Sequence, residues 1–346
     1  MIWVLLGRRA GDNKQMLALA RATGLPFTAL QMGFNGASAL PNILLGSRRI
    51  SLDPASKAKL IAPWPLAVIT SGRRAVPAAR WIKAMSGGTT RLIHIGRPWG
   101  PPEWFDLVVT TPQYGLPDLP NIQANLMPLT QEIGKEGGTA RPAWLEALPR
   151  PLLGVLVGGN SRPLVLDAAA AERLADTALD MARNMGGGLV LSTSPRTSGE
   201  VAEILQRRLK VSEVPHVVAL WRAGVANDYE GILRQSDRLL VTGDSAAMMA
   251  DAVLSGRPTE IFPLPEKPDF RWRSAHYVSS LLSGFPLGLR VLERLMGWGM
   301  LSSVRDIGAY ERGLRAADLL RGGDAARMQG RAELAASALR VRQLLS

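Results

Sequence analysis

The chain has 346 residues, and its 41 Lys and Arg against 29 Asp and Glu give a formal net charge of +12. This length predicts two domains, and a hydrophobic content of 47% is too high for an intrinsically disordered protein. With no Cys and three His, the sequence excludes disulfide scaffolds, cysteine metal centres and thiol nucleophiles, and we expect no metal site.

The chain begins with seven apolar residues, but Arg8 and Arg9 follow at once and no basic segment precedes them. This pattern is not typical of a secretory signal peptide. The sequence also lacks any run of about 18 uninterrupted apolar residues, the length that spans a bilayer. We therefore expect a cytoplasmic protein.

Short apolar runs rich in β-branched residues alternate with segments of helical periodicity, which is typical of parallel strands in an α/β sheet. In the first half we predict strands at Ile2–Leu6, Leu66–Thr70, Arg91–Ile95 and Leu107–Thr110, and helices at Gln15–Thr23 and Val76–Ser86. In the second half we predict strands at Leu152–Val157, Gly188–Ser192, His216–Ala219, Arg238–Val241 and Thr259–Phe262. The helices predicted between them are Asp167–Asn184, Ser198–Lys210, Tyr229–Gln235 and Ala246–Ser255.

The segment Gly134–Pro151 is rich in Gly, Glu and Pro and lacks periodicity, which indicates a linker. We predict an N-terminal Rossmann-like domain over residues 1–140 and a C-terminal Rossmann-like domain over residues 150–305. The predicted fold class is therefore α/β, with two doubly wound domains that face each other across a cleft.

Residues 306–346 carry Ala, Leu and Arg at helical spacing, and we predict terminal helices that cross back over the two domains. A membrane-surface amphipathic helix is the alternative for this tail. Packing is favoured because the tail also contains the acidic residues Glu311, Asp318, Asp324 and Glu333.

Ligands of parallel sheets bind beyond the carboxyl ends of the strands, and three of the four predicted strand ends in the first half carry Arg. The candidate residues of an anion-binding cleft are Arg8, Arg9, Asn13, Arg73, Arg74, Arg97, Gln113 and Tyr114. Asp12 is the only carboxylate in these loops, so it is the candidate general base for deprotonating a hydroxyl. Capping of the helix predicted near Gln15 is the structural alternative for Asp12.

Three strand ends of the second half carry small and polar residues, which together indicate a nucleotide or phosphosugar site. Gly158 and Gly159 permit close backbone approach to a diphosphate, although a tight turn would explain the same pair. The other candidates for diphosphate binding are Asn160, Arg162, Ser194, Arg196, Gly243, Asp244, Ser245 and Ala246.

Asp251 follows Ser245 by six residues on the same predicted helix. Its carboxylate is a candidate acceptor for the hydroxyl groups of a ribose. Helix capping by Asp244 and Ser245 and a solvated Asp251 are the structural alternatives.

The positive charge is concentrated in the first half of the chain. Residues 1–150 contain 17 basic and 8 acidic side chains, a net of +9, whereas residues 151–346 contain 24 and 21, a net of +3. Such a field attracts phosphorylated ligands, acidic lipids or nucleic acid, and a bias toward Arg codons is the alternative explanation. Nucleic acid is not an expected partner, because the basic residues form no long runs with interleaved aromatic residues.

These residues give the sequence a clear family resemblance that covers most of the chain. It resembles the mitochondrial division (Elm, elongated mitochondria) family, which has plant and bacterial members. The segments that carry the resemblance are residues 7–15, Ser71–Arg74, Arg91–Pro98, Phe105–Pro117, Leu156–Gly159 and Val241–Pro258.

That family in turn resembles the two-Rossmann-domain (GT-B) glycosyltransferases, among them the enzyme that adds N-acetylglucosamine to the lipid-linked peptidoglycan precursor. The resemblance implies that the second domain binds a UDP-sugar or another nucleotide-diphosphate sugar and that the first binds the acceptor. By position, Gly158 and Gly159 resemble the phosphate loop, residues 245–247 the diphosphate-binding helix start, and Asp251 the ribose-binding acidic residue.

The leading hypothesis is a metal-independent glycosyltransferase without a cofactor, whose acceptor is anionic and lipid-linked or part of an envelope glycolipid. Guanidinium groups and helix N-termini would stabilise the departing diphosphate, and Asp12 would be the base. The second hypothesis is a non-catalytic adaptor for a dynamin-like GTPase, and the third is a nucleotide-sugar epimerase. The basic first domain would permit a peripheral contact with the inner face of the cytoplasmic membrane.

Overall fold

The computed structural model describes residues 1–129, 143–225, 228–283, 286–297 and 306–346. It divides into two compact units. The first comprises Met1–Gln131, Arg271–Asp306 and Gly330–Ser346, and the second comprises Glu132–Phe270 and Ile307–Gln329. The predicted domain limits at residues 140 and 305, and residues 134–142 of the predicted linker, lie outside the described residues.

Each unit is built on a parallel sheet. The strands of the first unit are β1 (Ile2–Leu6), β2 (Phe27–Gln31), β3 (Ala67–Ser71), β4 (Arg91–Ile95), β5 (Leu107–Thr110) and β6 (Ile122–Ala124), in the order β2-β1-β3-β4-β5-β6. Those of the second are β7 (Leu152–Val157), β8 (Gly188–Thr193), β9 (His216–Ala219), β10 (Arg238–Thr242) and β11 (Thr259–Phe262), in the order β11-β10-β7-β8-β9.

Helices connect the strands of both sheets. The described helices are α1 (Ala10–Ala22), α2 (Asn42–Leu45), α3 (Pro54–Ala58), α4 (Val76–Met85), α5 (Ala143–Glu146), α6 (Ala168–Met185), α7 (Gly199–Lys210), α8 (Tyr229–Gln235), α9 (Ala246–Leu254), α10 (Phe270–Ser283), α11 (Pro286–Gly297), α12 (Ile307–Ala316) and α13 (Ala325–Leu345). The predicted α/β fold class with two doubly wound sheets is confirmed. Among the described residues, no helix is both long enough and apolar enough to cross a membrane.

Both faces of the first sheet are buried, since successive side chains of β1 point to opposite sides. Trp3 and Leu5 pack in the core that includes Ile82 of α4, whereas Ile2 and Val4 pack in the core that includes α1 and α13. The cores of this unit therefore lie on both sides of the sheet and hold its strand ends in fixed positions.

Helix α13 is tied to the first unit by polar contacts as well as by its apolar face. The Glu333 carboxylate accepts hydrogen bonds from the backbone N–H groups of Leu126 at 2.8 Å and Met127 at 2.7 Å. Ser337 Oγ accepts a hydrogen bond from Gln123 Nε2 at 2.7 Å. These bonds fix the chain directly after β6.

Strands β2 and β6 and helices α2, α3, α5 and α11 were not predicted from the sequence, and one helix start differs. Strand β2 pairs only with β1, and its side chains are partly exposed, so it lacks the continuous apolar run of the central strands. Strand β6 has three residues and was also not predicted. Helix α1 begins at Ala10 and not at Gln15, because the Gly11-Asp12-Asn13 sequence that suggested a loop forms its first turn.

Candidate functional site

The loops that follow β1, β3, β4 and β5 of the first unit line one cavity of about 380 Å³. The loops after β1 and β3 flank the point at which the strand order reverses, where ligands of open α/β sheets bind. The volume is that of a small-molecule site. Eight of the predicted residues line the cavity, namely Arg8, Arg9, Asp12, Asn13, Arg73, Arg74, Arg97 and Tyr114. Gln113 is buried and is not among the lining residues.

The loop after β1 is closed by the side chain of Asn13. Its Oδ1 accepts a hydrogen bond from Gly7 N–H, and its Nδ2 donates one to Gly7 O, both at 2.9 Å. Arg9 is the N-cap residue of α1, and its side chain makes no capping hydrogen bond. Asp12 therefore lies in the first helical turn, half-buried against the cavity, and does not cap a helix that begins near Gln15.

The loop after β3 turns at Gly72, whose φ of +71° lies in the left-handed region that favours glycine. Arg73 extends from this loop and donates hydrogen bonds to Leu40 O at 2.7 Å and to Ser38 O at 2.5 Å. Burial lowers the pKa of Arg73, and the charge of Arg74 beside it contributes. Arg73 thus braces the wall of the cavity, whereas Arg74 is exposed.

The loop after β4 depends on a buried histidine that the sequence analysis did not single out. His94 has 0% exposure, and its Nε2 is 2.9 Å from Arg97 O. Because a carbonyl only accepts, Nε2 carries the proton, and Nδ1 accepts from the Thr70 hydroxyl at 2.9 Å. Arg97 itself is 5% exposed and donates to Tyr114 O at 3.2 Å. His94 therefore positions the backbone from which Arg97 reaches the cavity.

Aromatic side chains complete the cavity wall. Phe34 and Trp99 line it together with Tyr114. Trp99 has a φ of +55°, an unusual backbone conformation for a bulky residue. Its carbonyl accepts a hydrogen bond from Asn42 Nδ2 at 3.1 Å, which helps to hold the loop in place. Phe34 follows β2, and it was not identified as a candidate because that strand was not predicted.

The cavity is strongly positive. Of the described residues, five arginines and one carboxylate, that of Asp12, line it. Arg8, Arg9 and Arg74 are exposed, and within the described ranges none of the three forms an ion pair. An anion that enters would therefore meet cations whose charge is not already neutralised, while Asp12 could accept a proton.

The environment of His94 makes the stability of the first unit depend on pH. Burial lowers the pKa of His94 from 6.5 to about 4. Between these values the unfolded chain binds a proton that the folded chain does not, so the free energy of unfolding should fall on acidification. The expected loss is roughly 3 kcal/mol over this window.

Urea denaturation at a series of pH values measures this loss, and His94→Gln is the comparison because it removes the titrating group. The variant should lose less stability between pH 6.5 and 4 than the natural protein. Parallel pH profiles of the two proteins would contradict the assignment, since carboxylates that titrate in the same range are common to both.

In the second unit, the predicted glycine loop is held by the fully buried carboxylate of Asp244. Its Oδ2 accepts a hydrogen bond from Gly159 N–H at 3.0 Å and lies 2.7 Å from the Arg196 guanidinium. Its Oδ1 accepts from the Thr242 hydroxyl at 2.6 Å, and Thr242 Oγ1 accepts from Gly158 N–H at 2.8 Å. The loops after β7, β8 and β10 therefore meet in one hydrogen-bonded network.

Most of the other predicted residues of the second unit have internal partners. Ser194 Oγ donates to Gly158 O at 3.0 Å, and Asn160 Oδ1 accepts from the backbone N–H of Leu166 at 2.8 Å. Ser245 caps α9, which was the structural alternative for this residue. Its Oγ accepts a hydrogen bond from the backbone N–H of Met248 at 3.4 Å. The remaining predicted residues are Arg162, which pairs with Asp269 at 3.3 Å, Gly243, whose N–H bonds to Phe262 O at 2.9 Å, and Ala246, the first residue of α9.

Asp251 lies on α9 and is positioned by a tyrosine that the sequence analysis did not identify. The Tyr229 hydroxyl donates a hydrogen bond to Asp251 Oδ2 at 3.2 Å. Burial, with the adjacent Asp251 carboxylate, raises the pKa of Tyr229, so the phenol stays protonated and keeps donating. Among the described residues, no three His, Cys, Asp or Glu side chains come together in a way that could hold a metal ion.

A family model described as Mitochondrial fission ELM1 matches residues 10–283. The chain is 24% identical over 242 residues to mitochondrial fission protein ELM1 of Arabidopsis thaliana, a match that covers 63% of this chain and 55% of the plant protein. It is 23% identical over 298 residues to uncharacterized protein RP120 of Rickettsia prowazekii, covering 76% of this chain and 83% of that protein.

Solved structures with detectable similarity include two sugar-processing proteins. One is UDP-GlcNAc 2-epimerase from Methanocaldococcus jannaschii, with a TM-score of 0.49, 11% identity, and coverage of 91% of this chain and 98% of that one. The other is the glycotransferase of kitacinnamycin, with a TM-score of 0.49, 12% identity, and coverage of 100% of this chain and 99% of that one.

Proposed function

This chain belongs to the Mitochondrial fission ELM1 family, and from that premise we propose that it is a glycosyltransferase-like protein with an anionic acceptor. The family resemblance predicted from residues 7–258 is confirmed by the match over residues 10–283. The observation that carries the proposal is the cavity of the first unit, in which five arginines and one carboxylate of the described chain lie at the carboxyl ends of parallel strands. Such a cavity suits a phosphorylated or otherwise anionic acceptor.

In the proposed reaction, the second unit binds a nucleotide-diphosphate sugar and Asp12 takes the proton of an acceptor hydroxyl. The hydroxyl oxygen forms a bond to the anomeric carbon of the sugar. The bond between that carbon and the diphosphate oxygen breaks, and the nucleoside diphosphate leaves with the electron pair. Arginine side chains stabilise the negative charge as it develops.

Isothermal titration with UDP, GDP, ADP, CDP and TDP tests the nucleotide part of the proposal. At least one nucleoside diphosphate should bind, and Asp251→Ala should weaken that binding about tenfold, because a charged acceptor for the ribose is lost. Asp180→Ala is the matched control, since this exposed carboxylate lies on α6. If none of the five nucleotides binds, the proposal fails.

A second candidate function is a non-catalytic adaptor that recruits a membrane-remodelling GTPase, and the plant relative is a mitochondrial fission protein. It is favoured by the glycine loop of the second unit, because the N–H groups of Gly158 and Gly159 already bond to Thr242 and Asp244. An assay for nucleotide-sugar turnover separates the two candidates. Turnover supports the transferase, whereas GTPase binding without turnover supports the adaptor.

A further inference from the structure

Helix α10 presents an apolar stripe to solvent. Tyr277 is 66% exposed and Leu281 is 56% exposed, and the exposed Arg273 precedes them at the same four-residue spacing. Residues four apart lie on one face of a helix, so the three side chains form a single stripe. Ala275, on another face of the same helix, is buried and attaches α10 to the protein.

Helix α11, which follows in the chain, repeats the pattern. Leu287 is 67% exposed and Val291 is 39% exposed, and the exposed Arg290 and Arg294 lie on the same side by helical spacing. Leu292 is buried on another side of the helix. Two consecutive helices of the first unit therefore expose aliphatic or aromatic side chains interleaved with arginine.

The charge of these two helices is predominantly positive. The segments Phe270–Ser283 and Pro286–Gly297 contain four Arg and one Glu, and α10 contains no acidic residue at all. A single exposed leucine on a protein surface is ordinary, but a repeated apolar and cationic pattern on successive helices is typical of helices that lie in a membrane interface.

The arrangement favours a bilayer over a protein as the partner. The exposed charged side chains of both stripes are arginines, so the partner that complements them is anionic. Here the arginines lie on the same stripes as the apolar side chains. At a bilayer surface, arginine and apolar side chains on one stripe both find partners. Arginine binds lipid phosphates, leucine enters the acyl boundary and tyrosine stays at the headgroups.

We infer that α10 and α11 bind the surface of an anionic lipid bilayer through Tyr277, Leu281, Leu287 and Val291, with Arg273, Arg290 and Arg294 on the lipid phosphates. The helices lie in the plane of the interface. None of these residues lines the arginine-rich cavity, so the inference does not depend on the proposed transferase function.

Vesicle flotation with the full chain tests the inference. The protein should float with phosphatidylcholine vesicles that contain about one third phosphatidylglycerol and should not float with phosphatidylcholine alone. Leu281→Ser combined with Leu287→Ser should lower the partition coefficient at least tenfold, because apolar insertion is lost. Arg290→Ala combined with Arg294→Ala should lower it roughly 25-fold, about fivefold for each arginine.

Leu339→Ser is the matched control, since this leucine of α13 is also exposed and its replacement should leave flotation unchanged. Thermal unfolding followed by circular dichroism checks that the variants remain folded. The inference would be overturned if the natural protein and the double serine variant floated equally. It would also be overturned if the natural protein floated with vesicles of phosphatidylcholine alone. A dimer that dissociates in the double serine variant, without flotation of the natural protein, would show that a second copy covers this face instead.

Discussion

Replacing Arg8, Arg9 and Arg74 together with alanine is expected to weaken the binding of inorganic pyrophosphate by on the order of a hundredfold at an ionic strength of about 0.1 M. All three line the cavity and form no ion pair within the described part of the chain. Each cation a few ångströms from an anion contributes about 1 kcal/mol in a solvent-exposed setting, and three such contributions multiply to about that factor. Isothermal titration calorimetry measures the change.

One comparison separates a specific site from the general attraction of a protein with a net charge of +12. A triple alanine variant at the exposed Arg48, Arg173 and Arg222 removes the same charge outside the cavity. It should change pyrophosphate binding little when salt screens distant charges. Equal weakening by the two triple variants would contradict the assignment of the cavity as the anion site.

Asp12 gives the same cavity a test of opposite sign. Asp12→Asn removes the one carboxylate that lines it among the described residues, so pyrophosphate should bind several-fold more tightly as like-charge repulsion disappears. In the proposed reaction the same substitution removes the base, so any transfer activity should be lost. Tighter anion binding together with lost activity is therefore the expected combination.

The central strands could be predicted from the sequence because they are buried on both faces. The bounds of β1, β4 and β5 match the prediction, since β1 and β5 are mainly apolar runs and Leu92, Ile93 and Ile95 make β4 mostly apolar. Strand β2 was not recognised, because its FTALQ sequence mixes polar and apolar residues and all of its side chains are partly buried or exposed. Helix α1 lacks a side-chain cap, so no residue marks its start at Ala10.

The lining of the cavity could be predicted because parallel strands end at one edge of a sheet. Arg8 follows β1 and Arg97 follows β4, so they are far apart in the sequence, yet they line the same cavity. The aromatic walls could not be predicted in this way, because Trp99 lies in an irregular loop with an unusual backbone conformation. The role of His94 was also hidden, since a histidine inside a strand gives no sign that its imidazole holds the next loop.

In the second unit, the sequence identified the residues of the glycine loop but not the way they interact. Gly158 and Gly159 suggested close approach of a diphosphate. The group that does approach them in the structure is the carboxylate of Asp244, which bonds to Gly159 N–H and pairs with Arg196. A sequence contains no information on whether a carboxylate bonds to a loop or faces solvent, because that depends on the path of β10 beside β7.

This close approach is expected to make Gly159→Ala strongly destabilising. A Cβ atom at Gly159 would lie 2.0 Å from the Arg196 carbonyl oxygen and 2.4 Å from its carbon. These are backbone atoms, so no rotation of a flexible side chain relieves the overlap. Overpacking that forces backbone shifts costs about 3 kcal/mol or more, and here it would also separate Arg196 from Asp244.

Urea denaturation followed by circular dichroism, with hydrogen exchange of peptides that cover β7, measures this loss in the second unit. Gly199→Ala is the matched control, because a Cβ at this first residue of α7 meets no atom within 4 Å. Alanine there should leave stability unchanged or raise it slightly, since it restricts the unfolded chain. If the peptides of β7 were as well protected from hydrogen exchange in the Gly159→Ala variant as in the Gly199→Ala variant, the glycine loop would not be packed against Arg196 in solution. The N–H group of Gly159 would then be available to a ligand, and the contact between this loop and Asp244 would no longer favour the adaptor over the transferase.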